Sequence, residues 1–493
     1  MEMIINEKIF RVNRKRGQAD ACPQDKGGTM TDYNNMNLYS QITPEIRALA
    51  DICRKNNNID PELYAKYDVK RGLRDVNGKG VLTGLTEIAE VKSYTIDDDE
   101  MVPCPGKLYY RGYDIEDLVN GCIDRKRMGF EEVAYLLMFG FLPTQETLIS
   151  FNHIVGNYRS LPTTFVRDII MKAPSSDMMN TLARCVLTMY AYDDNPDDIS
   201  IENVLRQCTQ LMALMPVFAA YGFQTYEHYI KGNSLFIHQT DPDMSTAETI
   251  LHLLRPDGKF DEFEAFVLDL CLILHADHGG GNNSAFTTRV VTSSHTDTYS
   301  AISAGLAALK GPRHGGANIK VMKMMDYLKD AIKDWDDDDE IRFNLEQLSD
   351  GEAFDRSGLI YGIGHAVYSM SDPREEILKG FVTKLAGKKG CEDVFTLYDN
   401  VERIAKEVIV KKHKMYRANI CANVDFYSGF VYEMLGIPRE LYTPLFAIAR
   451  TAGWSAHRIE ELVCNGKIIR PAYKSVTKHT KYIPMEERTA PQL

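Results

Sequence analysis

Gly311-Pro312-Arg313-His314-Gly315-Gly316-Ala317-Asn318 runs straight into a helical pattern, Ile319 to Leu328. Glycines on both sides of His314 let backbone approach a ligand closely. The first N–H groups of the following helix have no intrahelical partner, and the dipole there disfavours an imidazolium. A histidine so placed stays neutral and can donate a hydrogen bond to a carbonyl. The same eight residues also fit an ordinary glycine-rich turn with a solvated histidine, and only their surroundings separate the two readings.

Those surroundings are helical. Upstream, Glu131 to Phe139, Met179 to Tyr192, Val204 to Tyr221, Ala247 to Leu254, Phe263 to His278 and Thr287 to Leu309 carry apolar residues at helical spacing. Gly140 and Pro143 end the first of these, and Thr144 can cap the next. Small residues from Ala301 to Ala308 permit close helix contact. Downstream, Ile377 to Leu385, Leu397 to Val410, Gly429 to Leu435 and Leu445 to Ala456 read as helices. Residues 37–66 read likewise, with Pro44 near a start and Leu49, Ile52 and Leu63 along one side. The main strand-like region is Gly72–Asp114, with Val81 to Thr86, Val91 to Ile96 and a stretch from Lys107 that runs on to Ile115. They are too few for a large sheet, so the expected class is mostly α.

The chain has 493 residues, long for one core, and two or more lobes are expected. It is 44% hydrophobic and 26% charged, the balance of a soluble globular protein. No run approaches the roughly 18 apolar residues of a membrane span, and the N-terminus has no apolar signal core. A net charge of −12 argues against nucleic acid as the main partner. The ten cysteines are scattered without a C-x-x-C pair, which reads as reduced thiols in a cytoplasmic protein. Residues 1–30 combine a basic patch with Gly, Pro and Asp and read as a flexible extension. The acidic run Asp334 to Glu340 reads as solvated surface, lacking the spaced ligands and glycine of a Ca²⁺ loop.

Four further segments can carry chemistry. His275 and His278 close an apolar helix three residues apart, on one face. Zinc is a poor fit, because the i, i+4 spacing and a third ligand are missing; lining a cleft fits better. His365 is followed by Asp372-Pro373-Arg374, a turn that would offer an arginine fork near it, though an exposed loop with a solvated arginine fits this segment equally well. Asp425 stands in apolar, aromatic company. Burial there would raise its pKa toward that of a general base, while a simple helix cap is the plainer role. Arg450 and Arg470 each lie in apolar stretches and, taken singly, read as snorkelling arginines.

Taken in order, HADHGGGNNSAF (275–286), GPRHGGAN (311–318), GIGHAVYSMSDPR (362–374), NVDFYSG (423–429), ARTAGWSAH (449–457) and IIRP (468–471) resemble the citrate synthase family. Weaker likeness in YRGYDIEDL (110–118) and FEEVAYLLMFGFLP (130–143) extends the resemblance over roughly residues 70–480. The resemblance implies a helical two-domain fold: a large domain from 31–314 and 426–493, with a small domain, 315–425, inserted. It implies condensation of acetyl-CoA with oxaloacetate and water at tricarboxylic acid cycle entry, in a homodimer or larger homo-oligomer. It implies no tightly bound cofactor and no metal, with the coenzyme A thioester as substrate. By the same resemblance Asp425 is the base, His314 the donor to the thioester oxygen, and His365 the donor to the ketone. His278, Arg374 and Arg450 are oxaloacetate ligands, and Arg470 is one supplied by the neighbouring subunit. Two departures stand out. Ser369, Met370 and Ser371 occupy a stretch where many members carry Lys or Arg for coenzyme A phosphate, so the phosphate ligands are unassigned. Arg313 replaces a commonly apolar residue. A 2-methylcitrate synthase using propionyl-CoA would need the same catalytic groups, and a non-catalytic helical scaffold is the alternative of another class.

Overall fold

The computed structural model describes residues 40–75, 79–97, 100–365, 367–413 and 420–488. The expected extension at 1–30 lies outside them. Two compact units emerge: one is formed by the described residues up to Leu82 with those from Ser475 onward, the other by Thr83–Lys474.

The first unit holds the helix Pro44–Asn56, started by proline in its first turn and by the Thr43 hydroxyl, which accepts the Ile46 N–H at 3.3 Å. None of its residues is buried, and its apolar side, including Ile46 and Leu49, is exposed. Val81 to Thr86, expected as a strand, forms none. The Val81 N–H is taken by Leu73 O within a local turn, and Leu82 and Leu85 are exposed.

The second unit opens with an antiparallel meander of β1 (Ala89–Asp97), β2 (Glu100–Tyr110) and β3 (Tyr113–Asp114). Ala89 pairs with Tyr110 and Asp97 with Glu100, with one irregularity between Lys92 and Tyr94. Helices follow. Phe130–Phe139 stops at Gly140 in the left-handed region, and Thr144 caps Gln145–Asn157 by accepting the Thr147 N–H. Ile201–Tyr229 and Glu262–His275 are core helices, the latter buried over most of its length. The acidic run at 334–340 supplies Asp337 as cap, and three acids to the first turn, of the helix Asp338–Asp350.

The single helix expected over Thr287–Leu309 is two, Asn283–Thr292 and Thr298–Lys310. Asp297 caps the second, accepting the Ser300 N–H at 2.8 Å. The buried Arg458 spans the break, donating to Thr292, to the Thr296 carbonyl and to Thr298. The small residues do allow close contact: a Cβ on Gly305 would stand 2.7 Å from Thr288 Oγ1 and 3.1 Å from the Trp454 ring. That ring belongs to Tyr442–Val463, a helix buried along most of its length that runs beneath the site.

Candidate active site

The helix Glu262–His275 ends at His275, so His275 and His278 do not share a helical face; His278 sits in the loop that follows. The two are used differently. His275 donates Nδ1–H to Cys271 O at 2.7 Å, and burial pushes its pKa down to about 3. Its hydrogen bonding is internal. His278 is 9% exposed, and its Nε2 is buried with no hydrogen-bond partner. Burial first, then the nearby Arg374 and His365, hold it well below the usual histidine range. No group of three or more residues suited to a metal occurs among the described residues.

His314 stands in the turn before the helix Ala317–Ala331. The Gly315 N–H bonds Leu309 O at 2.9 Å, and Thr443 donates to Gly315 O at 3.0 Å. A Cβ on Gly315 would lie 2.5 Å from Leu309 O, so this turn requires glycine. The His314 Nε2 is 3.0 Å from Ser284 Oγ, which also accepts Trp454 Nε1–H at 3.1 Å. Burial, then Arg450, pushes His314 down to about 4, so it is neutral at physiological pH. Arg313, the unusual residue in this turn, is exposed.

Gly362 and Gly364 have φ of +82° and +94°, which glycine adopts without strain. Their loop pairs with the segment before Asp425. Gly364 N–H donates to Cys421 O at 2.7 Å, Asn423 N–H to Gly362 O at 2.9 Å, and Asn423 Nδ2 to Gly364 O at 2.8 Å. Two motifs 60 residues apart in sequence are thereby joined. His365 Nδ1 accepts N–H groups from Val367 at 3.1 Å and Tyr368 at 3.0 Å. A nitrogen that accepts carries no proton, so Nε2 is the donor. The ring stacks on Tyr368 at 4.9 Å and meets His278 edge-on at 5.3 Å.

Asp425 is the first residue of the helix Asp425–Met434, but its side chain caps nothing. Asn423 Oδ1 takes the Asp425 N–H at 3.0 Å instead. Burial, opposed by Arg374, pushes the carboxyl up to about 6. Arg374 is 4% exposed and forks onto Asp372, Nε to Oδ1 at 3.0 Å and Nη2 to Oδ2 at 2.7 Å. Arg450 is fully buried. It donates to His275 O at 2.8 Å and lies 4.7 Å over the Phe446 ring, while its Nη1 has no partner. Burial lowers its pKa to about 10. Arg470 is exposed on the segment beyond that helix and is not brought into the cluster.

The arrangement joins a half-buried carboxylate of raised pKa, two histidines able to donate, and two buried guanidiniums. The unmatched His278 Nε2 and Arg450 Nη1 are the pattern expected of a cradle for a small polar anion. Ser284, Trp454, Phe446 and Tyr368 support these groups though the sequence did not single them out, and Asp372, expected only as part of a turn before Arg374, is that arginine's carboxylate partner. Ser284 and Trp454 lie inside quoted motifs, yet nothing local in them announces a shared hydrogen bond.

The family model described as "Citrate synthase, C-terminal domain" matches residues 76–472. A citrate synthase of Haloferax volcanii is 34% identical, over 85% of this chain and 99% of the relative. A 2-methylcitrate synthase of Corynebacterium glutamicum is 32% identical with the same coverages. Among solved structures, citrate synthase from Pyrobaculum aerophilum superposes with a TM-score of 0.67 at 29% identity, covering 85% of this chain and 95% of that one. A Thermoplasma acidophilum citrate synthase, solved as a ternary complex with carboxymethyl coenzyme A and oxaloacetate, gives 0.68 at 27% identity, covering 85% and 99%. With helical architecture, ordered motifs and this match over most of its length, the chain belongs to the citrate synthase family.

Proposed function

We propose that the clustered residues divide the work of citrate synthesis among themselves. The activity is that of a citrate synthase, an acyltransferase that converts the acyl group to alkyl on transfer: acetyl-CoA, oxaloacetate and water give citrate and CoA. In this reading Asp425 removes a proton from the thioester methyl. His314, neutral, donates to the thioester oxygen and stabilises the enol as charge develops. For that, the Ser284 hydroxyl turns toward His314 Nε2, leaving Nδ1–H to donate. The Nε2–H of His365 polarises the ketone. His278, Arg374 and Arg450 hold oxaloacetate, and Arg470 reaches the site of a neighbouring subunit in a homodimer or larger assembly. The enol carbon attacks the ketone to give citryl-CoA, and water cleaves the thioester.

The observation that carries this reading is the Asp425 carboxylate, lifted to about 6 and free of any capping role, in the electrostatic field of Arg374 and Arg450. A methyl beside a thioester is a weak acid, so base and enol stabiliser must act together. His314 and Asp425 also stand at the two edges of the proposed small domain, 315–425. Closing of that domain on 31–314 and 426–493 would exclude water from the reaction. The thioester is a substrate, and the reading calls for no tightly bound cofactor and no metal.

The test is thiol release with oxaloacetate, comparing acetyl-CoA with propionyl-CoA. Preference for acetyl-CoA supports citrate synthesis. Equal or better use of propionyl-CoA moves the protein to 2-methylcitrate synthesis, a reading favoured by relatives of that name at nearly the same identity. The two substrates differ by one methylene, worth only about 1–3 kcal/mol in an apolar site. Absence of release with either leaves the non-catalytic scaffold. Size-exclusion chromatography with light scattering tests the assembly.

A further inference from the structure

One face of the helix Tyr442–Val463 lies under the side of the site that carries His275, His278 and His314. Phe446, Arg450, Trp454 and His457 follow at spacings of four, four and three, which align on a helix, with Gly453 beside Trp454 three residues after Arg450. Arg450 grips His275 O, and Trp454 reaches His314 through Ser284. Gly453 touches the loop carrying His278: a Cβ there would stand 2.4 Å from Ala276 O and 2.5 Å from Asp277 Oδ1. His457 remains, fully buried and outside every role described so far.

Its Nδ1 accepts Arg289 Nε–H at 3.1 Å, which fixes the proton on Nε2. That proton points at Asp277, 3.1 Å from Oδ1 and 3.3 Å from Oδ2. Asp277 has no exposed surface; it also accepts the Gly279 N–H at 2.8 Å, and its own N–H bonds Tyr110 Oη at 3.2 Å. On the far side, Arg289 is held by Glu460, by Glu461 at 3.1 Å and by Thr86 at 3.0 Å. A continuous chain of hydrogen bonds therefore runs from these carboxylates through Arg289 and His457 to the residue preceding His278. Burial would push the Asp277 carboxyl up, but His457, Arg450 and the Gly279 N–H together outweigh this and hold it below the usual carboxylate value. Asp277 is also the foremost negative charge acting on Arg450.

We propose that His457 is a positioning residue for oxaloacetate: held by Arg289, it fixes Asp277, which in turn sets the His278 loop and supplies the counter-charge behind Arg450. The proposal rests on the citrate synthase reading. It assigns to His457 the ground-state grip on the dicarboxylate and leaves proton transfer from the acyl donor to other groups.

The experiment compares wild type with His457→Leu and His457→Gln in steady-state kinetics, together with calorimetric titration of oxaloacetate without acyl donor. His457→Leu strips a buried carboxylate of its hydrogen bond. The KM and Kd for oxaloacetate should rise about tenfold or more, while kcat and the KM for the acyl-CoA change by less than about threefold. The amide of His457→Gln can donate to Asp277 and accept from Arg289, and should restore most of the loss. A packing role alone would lower kcat with the folded fraction and leave KM unmoved. If His457→Leu does not fold, the near-isosteric Asp277→Asn reads out the same grip and should raise the oxaloacetate KM likewise. Unchanged KM and Kd in the folding variant, or a Gln variant as impaired as the Leu variant, overturns the proposal. A wild-type protein inactive with both acyl donors refutes the enzyme reading, and this inference with it.

Discussion

His314 and His365 both stand in glycine-rich turns, and both are assigned as hydrogen-bond donors, yet they are wired differently. His365 is fixed by backbone: two main-chain N–H groups, from Val367 and Tyr368, occupy Nδ1 and leave Nε2 to donate. His314 is fixed by one side chain, Ser284, whose hydroxyl has a single proton and two acceptors at 3.0 Å, His314 Nε2 and Asn282 Oδ1. Backbone wiring survives any one side-chain change nearby. Side-chain wiring fails with one atom. The tautomer of His365 is thus built into the fold, whereas that of His314 depends on how a rotor is shared.

The comparison sets the order of expected effects. Removal of the acting groups comes first. Asp425→Ala should lower kcat by about 10²–10⁴, and His314→Ala or His365→Ala by about 10²–10³ each. Equal losses at the two histidines would show that both donors act, whatever holds them. Unchanged turnover in Asp425→Ala would sink the mechanism. Next, Ser284→Ala should lower kcat about tenfold. ¹⁵N spectra of labelled histidine should then show a mixed tautomer at His314 and a pure one at His365; a pure His314 signal in the variant would erase the contrast.

Stability and pH sharpen it further. The Asp425 carboxyl is lifted to about 6 in the fold, above its unfolded value, so its ionisation costs stability that is fully lost above pH 6 and recovered toward pH 4. Asp425→Asn should therefore be more stable than wild type by up to about 2 kcal/mol at pH 8, with the gain vanishing near pH 4 in urea melts. The histidines run the other way. With His314 lowered to about 4 and His275 to about 3, their contribution is complete above the usual histidine pKa and falls as pH drops through the acid range. In activity, the acid limb of kcat/KM should lie near pH 6 and follow Asp425, since His314 is neutral throughout that range. A limb that shifts in Ser284→Ala would assign it to His314 instead. The smallest effect is expected for Asn282→Ala. It removes a helix cap worth about 1 kcal/mol and a competing acceptor, and should leave kcat within about twofold.

Most of the helical architecture was legible in the chain. Phe130–Phe139 ended at its glycine, and Thr144 capped its successor, because these signals act within one turn of backbone. Expectations that needed a partner did worse. Val81 to Thr86 has strand-like residues, but no strand among the described residues takes its hydrogen bonds. Thr287–Leu309 broke in two where Arg458, from 160 residues away, satisfies the groups at the gap. His275 and His278 looked alike in sequence. They part company because the helix ends between them, leaving one ring bonded to its own helix and the other facing His365.

The amino-acid sequence by itself determined the helical class, the order of the motifs and the residue types able to act as base and donors. Those properties depend on local spacing and on side-chain chemistry that each residue carries anywhere. Tertiary structure alone decided which nitrogen of His365 and of His457 holds the proton and which acid is lifted toward neutrality. It also decided which buried atoms remain unmatched for a ligand. Those properties arise from desolvation and from hydrogen bonds between segments distant in the chain, such as Ser284 with Trp454 and Asp277 with His457, and neither exists until the chain has packed.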